Sequence, residues 1–507
     1  MEPVPGFLFF VPEIRIKGGH DRMNWPLVII IAYFAVTMLL GVLASRKGRS
    51  HDSYVGAGMG VFAIVCVTCG QWLGGTATTG CAECGFYAGL SGWWYTIANG
   101  IGMLMMGLFF AARYRRYGEV TIPGIIERTV GPCSRTVCSA LLIFVTLAVG
   151  LSQMIAAGKL GESLLGLDFS LSCCLFAVIF IVYTMSGGMR SVEATNKLHL
   201  GFMYFGIILA VVLAVSRLGG WGGFRAELNA VDAAEGTRHF SMTGIGASEV
   251  ISQIVASVLS AGASQASIQP VLAAKNERVA RKACLIAVLI VAPFGLFTTL
   301  LGMAAKAMNH AGLLAVTDAK LAYTDLIMSF HPAVAGLILA SVLAAILSTI
   351  SPIILASATM FTRDIYARRE GKTPDDRELT RVSRIGTALS GVVCCLLAVA
   401  LANASTILSL VKVAYTLRGV LFIVILFGMY WIDRRTGLSK ASDKGVCIAV
   451  LTSFAGCILW YIPRLVQGRY LLTIGSFAIT ETYLGVLLAC VTIVLFSRLF
   501  PRRTQLA

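Results

Sequence analysis

Residues 58–90 read GMGVFAIVCVTCGQWLGGTATTGCAECGFYAGL, an apolar stretch long enough to cross a lipid bilayer. Gly70 and the pair Gly74-Gly75 interrupt it near its middle, where regular helix is expected to fail. An unpaired carbonyl in hydrocarbon is costly, so a break is tolerated only where it faces protein, a cavity or an ion. The interrupted helix is therefore a candidate binding site.

The composition places this stretch in a polytopic membrane protein. Of the 507 residues, 57% are hydrophobic and only 13% are charged, which is more apolar surface than one soluble core can bury. Runs of roughly 18 or more apolar residues indicate spans, and they predict an all-α protein with about 13 transmembrane helices. The predicted spans cover about residues 26–44, 58–82, 90–112, 137–158, 170–186, 192–216, 247–270, 283–305, 333–361, 384–402, 408–430, 445–462 and 479–498.

The 41 Lys and Arg residues outnumber the 25 Asp and Glu residues, but their placement indicates membrane topology and no nucleic-acid partner. The basic clusters fall in loops that share one face, which the positive-inside rule makes cytoplasmic. With an odd number of spans, we expect a cytoplasmic-membrane protein with its N-terminus outside and its C-terminus inside. The clusters are Arg46, Lys47 and Arg49; Arg113, Arg115 and Arg116; Lys275, Arg278, Arg281 and Lys282; Arg363, Arg368, Arg369, Lys372 and Arg377; Arg434 and Arg435; and Arg502 and Arg503.

Nearly all of the 14 cysteines lie within predicted spans, where we expect them to be small packing residues. Cys81 and Cys84 have CxxC spacing but lack a second pair or a nearby His, so no metal centre is predicted. The six His residues are scattered and form no spaced ligand pair. The chain is therefore not expected to be an enzyme.

The seventh predicted span also has a run of small residues at its centre, where helix is expected to be weak: Ser260-Ala261-Gly262-Ala263-Ser264. Small residues by themselves can serve simply to let helices approach closely. Two weakened spans five apart, however, are typical of a five-plus-five inverted repeat. Spans two to six and seven to eleven would form the two repeats.

This pattern divides the chain into six predicted segments. Met23 begins a stretch that already reads as a start followed by a complete first span, so the residues before it are set apart as an extension. The segments are the N-terminal extension 1–22, a first span with its inner loop 23–57, a first five-helix repeat 58–216, an external loop 217–246, a second five-helix repeat 247–430, and two additional C-terminal spans with a short cytoplasmic tail 431–507.

The ninth span contains a Ser-Thr pair followed by a proline, in the sequence Ser348-Thr349-Ile350-Ser351-Pro352. A lone pair of hydroxyls in a membrane helix usually bonds its own backbone. Here the proline removes the amide that would bond the Ser348 carbonyl, so hydroxyls and carbonyl can both turn to a cation. Oxygen ligands of this kind suit hard cations such as sodium.

Four segments, in this order along the chain, resemble the sodium/solute symporter family, which includes sodium/glucose, proline, pantothenate and sialic acid cotransporters. They are GQWLGGTATTG from Gly70, SGGMRSVEATN from Ser186, QPVLAAKNERVARK from Gln269 and AAILSTISPIILASATMFTRDIY from Ala344. The resemblance covers about residues 26–430. It implies the leucine-transporter-type fold with extra helices at either end, and sodium-driven uptake of a solute by alternating access.

The resemblance also implies a sodium site made of five uncharged oxygens. These are the carbonyls of Gly70 and Leu73 in the second span, the carbonyl of Ala345, and the hydroxyls of Ser348 and Thr349 in the ninth. Such a set suits a weakly held monovalent ion better than magnesium or calcium. Sodium is the expected coupling ion, and no other cofactor is expected.

The junction of the fifth and sixth spans departs from the family pattern. Many members have a Thr-Asp pair here, whereas this chain has Thr195-Asn196 followed by Lys197. Lys197 can lie near enough to the cytoplasmic end for its ammonium to reach the headgroups. Alternatively, the ammonium lies beside the sodium site and replaces the ion, and coupling shifts towards protons because a desolvated lysine can lose its proton.

The sequence indicates the transported solute less clearly than it indicates the sodium site. In sugar-carrying members the solute is held at positions that correspond here to Ala77, Thr96 and Leu289, so sugar is disfavoured. Hydroxyls, amides and the positive end of a half-helix suit a small carboxylate or zwitterion. The polar side chains expected to line the central cavity are Gln71, Thr76, Thr78, Thr79, Ser264, Gln265 and Gln269.

Two other classes stay open at this point: a transporter-like solute sensor and a passive channel. The expected partners are a small solute, sodium or protons, and the lipid bilayer, with no obligate protein partner evident. Uptake against an imposed ion gradient separates the classes, because only a symporter concentrates its solute.

Overall fold

The computed structural model describes residues 25–45, 58–368, 375–401, 407–434, 436–467, 471–475 and 477–501. The N-terminal extension expected at residues 1–22 lies outside these ranges. The described chain is mostly helical. Its α-helices are, in order, α1 (Trp25–Ser45), α2 (Val61–Trp72), α3 (Cys81–Ala88), α4 (Trp94–Met105), α5 (Ala111–Arg116), α6 (Ile122–Thr129), α7 (Pro132–Leu165), α8 (Phe169–Arg217), α9 (Gly220–Glu235), α10 (Ala247–Ala263), α11 (Gln265–Leu272), α12 (Glu277–His310), α13 (Ala322–Met328), α14 (Pro332–Met360), α15 (Asp376–Leu401), α16 (Ile407–Tyr430), α17 (Asp443–Gln467) and α18 (Glu481–Leu499).

Shorter elements join these helices. One antiparallel hairpin, between α17 and α18, pairs β1 (Thr473–Ile474) with β2 (Phe477–Ala478), with Thr473 opposite Ala478. The π-helical turns are Thr76–Gly80, Met106–Phe110 and Phe361–Tyr366, and the 3-10 turns are Gly89–Trp93 and Ala319–Leu321.

Ten helical stretches in the described residues are long and apolar enough to cross a membrane. Three shorter apolar helices accompany them, at Val61–Trp72, Phe169–Met185 and Ala247–Ala263. The prediction of a polytopic all-α membrane protein is therefore confirmed, whereas the number 13 stays a prediction. The ten stretches are Trp25–Ala44, Thr76–Arg116, Pro132–Glu162, Gly188–Arg217, Glu277–His310, Pro332–Tyr366, Asp376–Leu401, Val411–Tyr430, Asp443–Pro463 and Glu481–Leu499.

Regular helix stops inside both segments where the sequence is rich in small residues. Helix α2 ends at Trp72, and the following Leu73 has φ −102° and ψ 34°, outside the helical range. Helix α10 ends at Ala263, and Ser264 is extended at φ −78° and ψ 93° before α11 begins. Both places expose backbone groups that helix would otherwise pair.

Helix α8 contains a sharp turn at Gly188, where φ is 55° and ψ is −145°. This backbone conformation is essentially restricted to glycine, because a Cβ would clash with the neighbouring backbone. The turn falls between the fifth and sixth predicted spans, 170–186 and 192–216. Two separate apolar helical stretches, Phe169–Met185 and Gly188–Arg217, therefore meet at this kink.

Helix α14 is the most buried of the long helices. Of its most apolar stretch 83% is buried, against 22% for α1 at the periphery. Small residues bring it close to α8: a Cβ added at Gly206 would lie 2.2 Å from Oγ of Ser341. The central position of α14 determines where Ser348 and Thr349 lie.

Candidate functional site

The end of α2 meets the middle of α14 through two hydroxyls. Oγ1 of Thr349 donates to the carbonyl oxygen of Gly70 at 2.5 Å, and Oγ of Ser348 lies 3.2 Å from the same oxygen. Ser348 also donates to the carbonyl of Ala345 at 2.8 Å. Four of the five residues expected to supply sodium ligands therefore contact one another, and Leu73 follows directly at the end of α2.

Close approach explains why residue 70 is a glycine. A Cβ there would lie 2.6 Å from Nδ2 of Asn196 and 3.1 Å from Cβ of Ser348. The same holds at Gly74, where a Cβ would lie 2.2 Å from Oγ1 of Thr349. The small residues of this segment therefore let α14 and α8 reach its backbone oxygens.

Asn196 contributes a neutral amide to this group. Pro352 has no amide hydrogen to offer the Ser348 carbonyl, and Nδ2 of Asn196 lies 3.4 Å from that oxygen. The sequence predicted that this carbonyl is free for a cation, whereas in the structure an amide donates to it. Asn196 is fully enclosed, with 1% of its surface exposed.

Lys197, the next residue on α8, leaves the site. Its ammonium lies 3.0 Å from a carboxylate oxygen of Glu193, one helical turn earlier, and 40% of its side chain is exposed. It lines a cleft between α1 and α8 together with Arg190 and Glu193. The structure thus brings Asn196, but not the charge of Lys197, to Gly70.

Gln153 on α7, which the sequence did not predict as a site residue, bonds to the segment that follows α2. Its Oε1 accepts the Gly75 amide at 2.6 Å, and its Nε2 donates to Oγ1 of Thr76 at 3.0 Å. An orphan backbone donor is thereby satisfied without water. Nothing in the sequence around Gln153 marks this role, because the partners are 78 residues apart.

The polar residues expected around the solute fall into two groups. Several bond to the protein itself: Thr78 and Thr79 donate to the carbonyl of Gly75, at 3.2 and 2.8 Å. Gln265 accepts the amide of Ile122 at 2.8 Å and donates to the Val120 carbonyl at 3.1 Å. These side chains hold the helix breaks and the connection between α5 and α6 in place.

The remaining residues expected around the solute differ in whether their polar atoms have hydrogen-bond partners in the protein. Nε2 of Gln269 lies 3.5 Å from Oγ1 of Thr359, and Ser264 contacts Oγ of Ser267 at 3.0 Å. Gln71 is 4% exposed, and its Oε1 has no hydrogen-bond partner among the residues that the structure describes. A buried acceptor of this kind is available to a ligand.

A second residue that sequence reasoning missed is Arg418 on α16. It is fully buried, and its Nη1 lies 3.3 Å from Oγ of Ser264 at the break between α10 and α11. Its Cζ lies 5.7 Å from the ring centroid of Tyr415, and the Tyr415 hydroxyl bonds that of Tyr95 at 2.9 Å. A single charge within the apolar run YTLRGVLFIVILFGMY is a signal that could have found it.

Comparison with known protein families shows which family this chain belongs to. Residues 54–437 match the model of the sodium:solute symporter family. The chain belongs to this family. The resemblance inferred from the four sequence segments is confirmed.

Curated relatives match this chain along most of its length. The osmoregulated proline transporter OpuE of Bacillus subtilis is 27% identical over 478 residues, covering 91% of this chain and 93% of the relative. A sodium/proline symporter of Staphylococcus aureus is 27% identical over 87% of both chains. The sodium/glucose cotransporter of Vibrio parahaemolyticus is 26% identical over 86% of this chain and 84% of its own.

Solved structures show the same fold. A sodium-coupled sialic acid symporter superposes with a TM-score of 0.76 at 17% identity, covering 96% of this chain and all of the other. The nucleobase-cation-symport-1 transporter Mhp1 gives 0.54 at 15% identity, over 89% of this chain and 96% of its own. Both have leucine-transporter-like folds, and so does this chain.

These findings make the chain a multi-pass membrane protein of a transporter family. The family and the similar proteins are transporters, not enzymes. Membership of a sodium-coupled family implies a solute and sodium as ligands.

Proposed function

We propose that this protein carries out sodium-coupled symport of a small polar organic solute into the cell by alternating access. The sodium ligands would be the carbonyls of Gly70, Leu73 and Ala345 and the hydroxyls of Ser348 and Thr349. The observation that carries the proposal is the contact of both hydroxyls with the Gly70 carbonyl, at 3.2 and 2.5 Å. In a membrane interior, converging uncharged oxygens at a helix break suit a monovalent cation.

The environment of Asn196 and Lys197 favours sodium over proton coupling. The Lys197 ammonium is paired with Glu193 at 3.0 Å, and its side chain is 40% exposed. The ammonium is thus partnered and open to solvent, away from the oxygens around Gly70. Asn196 is then a neutral neighbour of the ion, which leaves the charge at the site to sodium.

The architecture proposed around this site is a five-plus-five inverted repeat of residues 58–216 and 247–430, within about 13 spans. The ends of α2 and α10, at Trp72 and Ala263, support this proposal, because such a repeat contains two interrupted helices. Basic clusters such as Arg113, Arg115 and Arg116 support a cytoplasmic C-terminus and an external N-terminus.

A carboxylate or an amino-acid-like zwitterion is the proposed solute class. Two of the relatives described above carry proline by their names. The hydroxyl of Thr96 is already engaged with the Ala292 carbonyl at 3.0 Å and the Gly295 amide at 3.1 Å. Leu289 is 77% exposed on the outer surface. These positions therefore offer little to a sugar.

Uptake by proteoliposomes tests the proposal. Purified full-length protein would be reconstituted and given an inward sodium gradient, an inward proton gradient or neither, with labelled proline, pyruvate, propionate and glucose. We expect accumulation above the equilibrium level of at least one carboxylate under the sodium gradient alone. Accumulation driven only by protons, or equilibration without any gradient, would contradict sodium symport.

A further inference from the structure

Arg418 carries a charge in the middle of the bundle. It lies in the apolar span Val411–Tyr430 and has no exposed surface. An arginine keeps its charge in proteins, so it cannot escape burial by losing a proton. A buried charge without a counter-charge is strongly unfavourable, and charges inside membrane bundles accordingly mark functional sites.

The protein itself supplies little to neutralise this charge. Nη1 contacts the hydroxyl of Ser264, but Nε and Nη2 have no hydrogen-bond partner among the described residues. No carboxylate in the described part of the chain forms an ion pair with the guanidinium, whose Cζ lies 5.7 Å from the centroid of the Tyr415 ring. A cation-π contact does not replace a counter-charge.

Lys412, on the same helix, shows the contrasting arrangement. It is also buried, with 3% of its surface exposed. Its ammonium lies 2.5 Å from a carboxylate oxygen of Glu249 and 3.3 Å from one of Glu481. One buried cation of α16 is thus paired twice within the protein, while the other is not.

Arg418 lies between the two helix breaks. Its contact with Ser264 places it at the extended residue that separates α10 from α11. On its other side, the ring of Tyr415 packs edge-on against Trp72, the last residue of α2, at 5.8 Å. Trp72 and Gln71 add a donor and an acceptor, Nε1 and Oε1, that also have no partner among the described residues.

The unpartnered atoms of Arg418 point to one ligand chemistry. Nε and Nη2 lie on the same edge of the guanidinium, and their N–H bonds are parallel, which matches the two oxygens of a carboxylate. We propose that this edge binds the carboxylate of the transported solute, so that the ion pair forms only when the solute is bound. This rests on the proposed symport and narrows its solute class to carboxylates. The aromatic rings of Trp72, Tyr95 and Tyr415 would flank the organic part of the solute.

A thermal-stability assay on the full-length protein in detergent tests the proposal with a panel of small anions. The probes are propionate, pyruvate, benzoate and L-proline, their neutral counterparts propionamide and benzamide, and chloride, all with sodium present. We expect at least one carboxylate to raise the apparent melting temperature by a few degrees, and neither amides nor chloride to do so. Stabilisation by chloride alone, equal stabilisation by the amides, or no shift with any carboxylate would overturn the proposal.

Two variants separate an anchor from a structural residue. Arg418→Gln should abolish the carboxylate-dependent shift and leave the melting temperature without solute equal to wild type or higher, because it removes an unpaired charge. The matched control Lys412→Gln should lower that temperature, because it removes the cation that the buried Glu481 and the partly buried Glu249 share. An Arg418→Gln protein that keeps the carboxylate shift, or that is destabilised as much as Lys412→Gln, would contradict the proposal.

Two further readouts distinguish failure of the anchor from failure of the symport mechanism. Arg418→Lys keeps the charge but loses the parallel N–H pair, so the KM for carboxylate uptake should rise about tenfold or more. Stabilisation by sodium alone should persist in Arg418→Gln, because the sodium ligands are on α2 and α14. Absence of the sodium effect in wild type would reject the proposed function, whereas an unchanged KM in Arg418→Lys would reject only the carboxylate anchor.

Discussion

Neighbouring residues on α8 have opposite environments because successive side chains on a helix point about 100° apart. The Asn196 amide faces Gly70 and the carbonyl of Ser348, in a region closed to solvent. The Lys197 ammonium faces Glu193 and the cleft beside α1. The sequence left two positions open for the Lys197 ammonium, at the lipid headgroups or beside the sodium site. Its contact with Glu193 favours the position away from the sodium site.

Replacing Lys197 by alanine should therefore leave the ion dependence of uptake unchanged. The substitution removes a half-exposed ion pair, which contributes at most about 1 kcal/mol to stability. Sodium-driven and proton-driven accumulation would be measured side by side in wild type and Lys197→Ala proteoliposomes. Loss of proton-driven uptake, or a lower sodium concentration for half-maximal uptake in the variant, would show that the ammonium acts at the site.

At the scale of single residues, the sequence predicted Ser348 and Thr349 because a proline and a family motif mark them. It did not predict Gln153 or the orientation of Asn196, because these depend on contacts between distant helices. Gln153 reaches Gly75 across 78 residues, and no local periodicity encodes such a pairing. Arg418 was visible as a lone charge in an apolar span, but its lack of a partner emerges only from the packing.

At the scale of whole elements, the positions at which helices are interrupted shape the candidate site. The backbone stops being helical at Leu73 and at Ser264, and α8 turns at Gly188. Each position is small or followed by small residues, so the sequence indicates where breaks occur. Side chains of other helices bond to the first two breaks, Gln153 at Gly75 and Arg418 at Ser264.

Gly188→Ala should destabilise the protein, because the residue has φ 55° and ψ −145°. Forcing an L side chain into such a conformation costs about 1–3 kcal/mol. Gly201→Ala is the matched control on the same helix, where φ is not positive and a Cβ would meet no atom within 4 Å; it should be neutral or slightly stabilising. Melting temperatures in detergent would be compared, and equal values for both variants would contradict a glycine requirement at this turn.

Hydropathy predicted the long helices well because a span needs a continuous apolar run. Hydropathy alone did not indicate where a helix is interrupted within a span. The second predicted span, 58–82, contains the end of α2 at Trp72 and a π-helical turn at Thr76–Gly80. A window average cannot resolve such a change, since both sides of the break are equally apolar.

Across the whole molecule, the proposed sodium site joins the two proposed repeats. Gly70 and Leu73 belong to residues 58–216, whereas Ala345, Ser348 and Thr349 belong to residues 247–430. An ion held between two bodies stabilises the arrangement in which its ligands converge over those in which they separate. Sodium binding and the relative position of α2 and α14 are therefore expected to be coupled.

The sodium dependence of Ser348 and Thr349 variants tests the central claim most directly. The sodium concentration for half-maximal uptake would be measured in wild type, Ser348→Ala, Thr349→Ala and the control Ser357→Ala. The buried hydroxyl of Ser357 donates to the Ile353 carbonyl of its own helix at 3.1 Å. Removal of one of five ligands should raise that concentration about tenfold in the first two variants, equivalent to about 1.4 kcal/mol, and leave the control at the wild-type value. Identical sodium dependence in all four proteins would contradict the proposed site.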